Sequence, residues 1–190
     1  MCTETPLITS NDFYGSYIAT RHLLKQGYER IAYISRYRYR TSMNRFYGYM
    51  AALQEVDREI YRQHICTQIQ DAWEEGIQRE IERMLSLAQP PDAFFCHNDE
   101  IALAVYNAVQ RCGRRIGGEI GLVGYDNTNI CEKVDVPITS VAYKSYEIGH
   151  KAAEVLYNLT QNRQPVGANI FMYQPELIVR NSSCRHGTQA

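Results

Sequence analysis

Arg45, Asn98 and Asp126 are the residues of this chain whose types and settings suggest chemistry. Asn98-Asp99 follows the short apolar run AFFC (93–96) and precedes a long apolar segment. Asp126-Asn127 closes the run IGLVGY (120–125), and RIAYIS (30–35) leads through an Arg-rich loop to Arg45. A simple turn needs only Gly and Ser, so His97-Asn98-Asp99 between two buried-looking stretches asks for another reason. A carboxylate accepts hydrogen bonds from hydroxyls, a guanidinium donates a planar fork, and a carboxamide does both. Together the three suit a neutral polyol or sugar. Singly, each has a plainer reading: Asn98 and Asp99 are good helix caps, and Asp126 is a good turn former. Repetition at three strand ends favours a ligand rim.

Other chemistries fit less well. SRYRYRTSMNR (35–45) interleaves arginines with Tyr37 and Tyr39, a mixture that can clamp single-stranded nucleic acid. With no basic surplus in the chain, a solvated loop that positions a helix is the better reading. His97 adjoins Cys96, but no second Cys or His lies at ligand spacing, so no metal is expected. No G-x-S-x-G nucleophile turn occurs, and Gly113, Gly117 and Gly118 form neither a dinucleotide nor a phosphate loop. His22 and His150 fall inside helical stretches. No cofactor and no enzymatic activity are expected.

The 190 residues suffice for one domain or two small lobes, and 45% hydrophobic with 22% charged residues is ordinary globular usage. Twenty Lys plus Arg against 21 Asp plus Glu gives a net charge of −1, which argues against a dedicated nucleic-acid-binding domain. Six cysteines without paired spacing, and a start (MCTETPLITS) without an export signal, predict a cytoplasmic protein. No apolar run approaches the roughly 18–20 residues that span a bilayer, so no membrane contact is expected.

The elements that position the polar residues alternate. Asn11–Gln26 reads as a helix closed by Gly27, followed by a strand at Arg30–Ser35 and a helix opening at Thr41 or Ser42. A weaker strand at His64–Gln68 precedes a helix at Glu74–Leu87. DAFFC is a strand and Glu100–Arg111 a helix; Ile120–Tyr125 and Ile138–Tyr143 are strands. Tyr146–Gln161 is a helix with Ile148, Ala152, Val155, Leu156 and Leu159 inward, and PELIVR (175–180) is a last strand. Such alternation predicts an α/β fold, a Rossmann-like parallel sheet flanked by helices, with ligands at the carboxyl ends of its strands.

Six segments carry a resemblance: DFYGSYIATRHLLKQGYERIAYIS, SMNRFYGYMAAL, PDAFFCHNDEIALAVYNAV, GEIGLVGYDN, VPITSVAYKSYEIGHKAAEVL and PELIVRNSS. In this order and spacing they resemble the effector-binding core of LacI/GalR-family transcription regulators, over nearly the whole chain. The resemblance implies a core like that of periplasmic sugar-binding proteins, with two Rossmann-like subdomains around a small-molecule effector, and a homodimer. A helix-turn-helix headpiece and hinge are absent here, so operator DNA binding is expected only through a headpiece outside this chain. By analogy, 1–29 and 127–164 are assigned to a partly present N-terminal subdomain. Residues 30–126 form the C-terminal, effector-binding subdomain, and 165–190 supply its last strand.

The same resemblance maps effector contacts onto Arg45 of S-x-x-R-x-x-G-Y, Asn98 of the N-D joint and Asp126 of V-G-Y-D. Tyr143 matches a polar contact from the other lobe. Asp71 stands where some members place an aromatic that stacks on the ligand, which favours a sugar or sugar phosphate over a purine. Trp73, two residues on, is an alternative stacking residue, and Tyr14 a further candidate. Arg45→Ala or Asp126→Ala is expected to abolish binding without unfolding the domain. Two rival functions are a sugar-binding component of a transport system and a small α/β enzyme using Asp126, Asn98 and His97.

Overall fold

The structure is a computed structural model that describes residues 6–36, 40–69, 73–161 and 169–185, with only the backbone of Arg40 and Trp73. Among the described residues, eight strands and five α-helices follow in chain order: β1 (Leu7–Ser10), α1 (Asp12–Lys25), β2 (Ile31–Ile34), α2 (Arg40–Glu55), β3 (Ile65–Cys66), α3 (Trp73–Leu85), β4 (Ala93–Cys96), α4 (Asp99–Arg111), β5 (Gly121–Tyr125), β6 (Thr139–Ala142), α5 (Ser145–Thr160), β7 (Ile170–Tyr173) and β8 (Glu176–Ile178).

Side-chain alternation along the strands builds a three-layer unit. The sheet runs β3-β2-β4-β5-β6-β8, parallel except for β8, which pairs antiparallel with β6. Ala32, Ile34, Phe94, Cys96 and Leu122 face one side, where Ile77, Ile81 and Met84 of α3 and Ile101, Ala102 and Val105 of α4 cover them. Ile31, Tyr33, Phe95, Val123, Tyr125 and Val141 face the other, beneath Ala19 and Leu23 of α1 and Tyr49 and Leu53 of α2. Consecutive strand residues thus belong to opposite cores, as a period of two requires. Burial of both faces explains why these strands read as continuous apolar runs.

Gly48 lets α1 and α2 cross closely, because a Cβ there would strike the carbonyl oxygen of Phe13. Asn11 caps α1 by accepting a hydrogen bond from the Tyr14 amide, and Gly27 takes the left-handed conformation (φ 84°) that follows the helix end.

A second, smaller unit consists of β1 paired parallel with β7, and α5 packed on β1. Two elements depart from the expected division. β6 (within 127–164) pairs with β5 inside the six-stranded sheet, and α1 (within 1–29) packs against α2 over the same sheet. Both therefore contribute to the unit assigned to 30–126. α5 also differs from its predicted inward stripe. Val155 is its buried residue, whereas Leu156 is 64% exposed and Leu159 37%. The two-stranded β1–β7 sheet is too narrow to cover a helix face of four turns. Neither β1 nor β7 is among the expected strands, although IFMY of β7 is a β-favouring run.

Three chain crossings join the units: Ser10 to Asp12, Ala142 to Ser145, and Tyr173 to Glu176. The Asn11 amide donates to the Tyr173 carbonyl (2.9 Å), and Lys144 pairs with Glu176 (3.2 Å), so the crossings are tied together.

Candidate ligand-binding site

Strand register brings the polar residues to one rim. Ile34 lies opposite Cys96, Phe95 opposite Val123, and Tyr125 opposite Val141. The parallel strands therefore release His97, Asp126 and Tyr143 at the same end of the sheet. Arg45, on α2, reaches this rim from above the sheet face that carries Tyr125.

The Arg45 guanidinium is held on several sides. Nε donates to Asp12 Oδ1 at 3.0 Å, Nη1 donates to the His97 carbonyl, and Nη2 lies 3.5 Å from Asp126 Oδ1. Its carbon sits 3.5 Å from the centre of the Tyr125 ring. Arg45 and Asp12 are both buried, while the Asp126 side chain retains 28% exposure. A buried guanidinium needs such pairing, because an uncompensated charge in the interior is strongly unfavourable.

Asp126 and Asn127 both have positive φ, 102° and 50°. Non-glycine residues hold that conformation when neighbours over-determine it. Here the Asp126 amide donates to the Val141 carbonyl (2.8 Å), the Asn127 amide to Ser140 Oγ (3.0 Å), and Arg180 to Asn127 Oδ1 (2.9 Å). Buried Asp99 completes the clamp. Its Oδ2 accepts from the Thr128 amide (2.7 Å) and its Oδ1 from Ser140 Oγ (2.6 Å). Gly124 leaves the space for that carboxylate, since a Cβ there would meet Asp99 Oδ1.

Electrostatics follow from this geometry. Burial raises the Asp126 carboxyl to about 6; Arg45 opposes the shift, while Asp99 and Asp12 add to it. Burial and the neighbouring Arg45 charge lower His97 to about 4, so its imidazole is neutral at pH 7.

The structure brings together Arg45 and Asp126, and places Asn98 beside them through His97. Asn98 does cap α4: its Oδ1 accepts from the Ile101 amide at 3.0 Å. Tyr143 follows β6 at the same end and is 39% exposed. Tyr14 is not brought to this cluster: it lines a separate groove on α1 with Tyr17, Ile18, Arg21, His22 and Lys25. Asp71 and the Trp73 side chain lie outside the described residues. Asp12 and Tyr125 were missed, Asp12 because an acid at a helix start reads as a helix-end residue, Tyr125 because it reads as core. A recess of about 250 Å³ beside the cluster is lined by Ser10, Asn11, Asp12, Thr41, Asn44 and Met172, among others.

Residues 20–183 match the family profile of the periplasmic binding protein-like domain. The chain belongs to that family. Its relatives include the HTH-type transcriptional repressor CytR of Escherichia coli (strain K12), 30% identical over 181 residues. That match covers 95% of this chain and 52% of the repressor, so the chain spans about half the length of this curated relative. A LacI-family regulatory protein from Chloroflexus aggregans superposes with a TM-score of 0.87 at 24% identity, over 96% of this chain and 65% of that one. The transcriptional regulator CelR in complex with cellobiose superposes with a TM-score of 0.81 at 25% identity, over 94% and 54%. This periplasmic binding protein-like domain is thus similar to about half of the repressor CytR and shares its fold with the two regulators. Among its described residues no helix is long and apolar enough to cross a membrane.

Proposed function

We propose that this domain is the effector-binding portion of a LacI-type transcription regulator, and that its effector is a hydroxyl-rich small molecule of the sugar or sugar-phosphate class. The observation that carries this reading is the pairing of a fixed guanidinium with a partly exposed carboxylate at one rim. Arg45 and Asp126 stand 3.5 Å apart and offer donor and acceptor side by side, as adjacent sugar hydroxyls require. Asn98 adds amide donors and Tyr143 a ring at the same end. CelR, solved with cellobiose, shares the fold.

In this reading the whole regulator acts in the cytoplasm as a homodimer and meets operator DNA through a headpiece outside this chain. The effector changes DNA affinity by binding one arrangement of the units better than another. In this reading the cluster binds its effector without turning it over.

Thermal-shift and calorimetric titration with cellobiose, D-galactose, D-ribose and galactose 6-phosphate test the proposal. At least one is expected to raise Tm through mass action, and Asp126→Asn to remove that rise. Binding undiminished in Asp126→Asn, or no response to any of the four, would overturn the reading.

A further inference from the structure

Asp12 has no ligand role in the reading above, yet it is the carboxylate that holds Arg45 most directly. We propose that Asp12 is a positioning residue: it grips Arg45 by Nε and directs the Nη2 edge toward Asp126 and the open rim. Its value to function rests on the effector site proposed above, but its effect on Arg45 does not.

An arginine side chain has many rotamers to lose on ordering, so an unsupported one is a poorly aimed donor. Here three contacts set its plane and direction: Asp12 on Nε at 3.0 Å, the His97 carbonyl on Nη1, and the Tyr125 ring beneath the guanidinium carbon. All three come from buried or main-chain groups. The fourth, to Asp126, is the longest at 3.5 Å and reaches the most exposed partner. That is the contact a bound hydroxyl can share or replace.

Charge leads to the same assignment. Buried Arg45 needs a counter-ion. Were Asp126 its only one, a ligand would compete with Arg45 for that carboxylate. With Asp12 neutralising Arg45 from inside, Asp126 keeps acceptor capacity for a ligand. Asp12 suits the task because it occupies the first turn of α1, where the helix dipole favours negative charge. It also lies two residues beyond β1, so its grip ties the rim to the first crossing between the units.

The test uses Asp12→Asn, which keeps the shape and an acceptor oxygen but removes the charge. Two ligand-free NMR signals are read on the whole chain. One is the Arg45 Nε–Hε resonance, assigned by its loss in Arg45→Lys. The other is the carboxyl titration of Asp126, whose charged and titratable neighbours are Arg45, Asp12, Asp99 and His97. In Asp12→Asn the Arg45 signal should shift and exchange with water faster. The Asp126 midpoint should fall from about 6, because a like charge has been removed. An Asp12 that does not aim Arg45 would lower Tm and leave the water-exchange rate of the Arg45 signal in place. Either signal remaining at its wild-type value overturns the proposal. If Asp12→Asn fails to fold, Asp12→Glu carries the comparison on the first signal: its charge is kept and its reach changed, so Nε–Hε must move while the fold persists. Because neither signal needs a sugar, failure of the effector reading and failure of this assignment are separate results.

Discussion

The Arg45 guanidinium lies over the Tyr125 ring, its carbon 3.5 Å from the ring centre. Tyr125 is the last residue of β5 and Asp126 is the next. One residue therefore supports the guanidinium from below while its neighbour faces it across the rim. Tyr125→Leu removes the ring and opens a small cavity, and should lower stability by about 2–3 kcal/mol from the combined loss of cation–π contact and packing. Tyr125→Phe keeps the ring under Arg45 and should retain effector affinity that Tyr125→Leu loses. Urea denaturation and calorimetry on the pair separate the two.

Arg45→Ala will not be neutral to the fold, contrary to what the sequence suggests. Arg45 is 8% exposed and its removal strands buried Asp12. Breaking a buried pair from one side costs about 3–5 kcal/mol. A urea midpoint unchanged from wild type would refute this. Asp126→Asn, at the more exposed end of the cluster, is the variant that reports on binding with the fold intact.

Acid stability carries two opposed contributions at this rim. Asp126 titrates at about 6 in the folded chain against an ordinary 3.8. Between those values the folded state holds a proton the unfolded state has lost, so this contribution falls as pH rises through the window. His97 acts the other way: its folded value is about 4 against 6.5. The unfolded state takes up that proton first, and stability drains away as pH falls from 6.5 toward 4. Asp126→Asn deletes the first contribution and leaves the second. Its stability should therefore decline more steeply with acid than that of the wild type, in urea melts from pH 7 to 4. Hydroxyl donors favour the ionised carboxylate, so sugar affinity should climb as pH rises through about 6 and then level off.

Gly48→Ala tests how the helices deliver Asp12 to Arg45. The added Cβ would press on the Phe13 carbonyl and lie 3.0 Å from Ser16 Cβ, so α1 and α2 must part. Overpacking of this kind costs about 1–3 kcal/mol. The displaced segment adjoins Asp12, so a Gly48→Ala chain that folds should also show weakened effector binding by calorimetry.

Much of the fold was legible before any coordinates. Strand–helix alternation foretold the parallel sheet, and apolar runs ending in Asn98 and Asp126 foretold a polar rim at the carboxyl ends. Less legible was the membership of α1 and β6. Both are amphipathic or apolar enough to pack in either unit, and only pairing with β5 and crossing with α2 places them. The α5 stripe was read correctly as apolar and wrongly as buried, since periodicity shows which face seeks cover and not whether a partner is there.

Local chemistry along the chain, acting through side-chain period and capping preference, determined the elements, the strand ends and the kinds of polar group they carry. Tertiary structure alone decided that Asp12, 33 positions from Arg45, becomes its counter-ion, and that Tyr14 lines a separate groove on α1. The reason is that these outcomes depend on how closely two helices cross and in which register strands pair. Those are distances between segments far apart in the chain, and no pattern within a single segment encodes them.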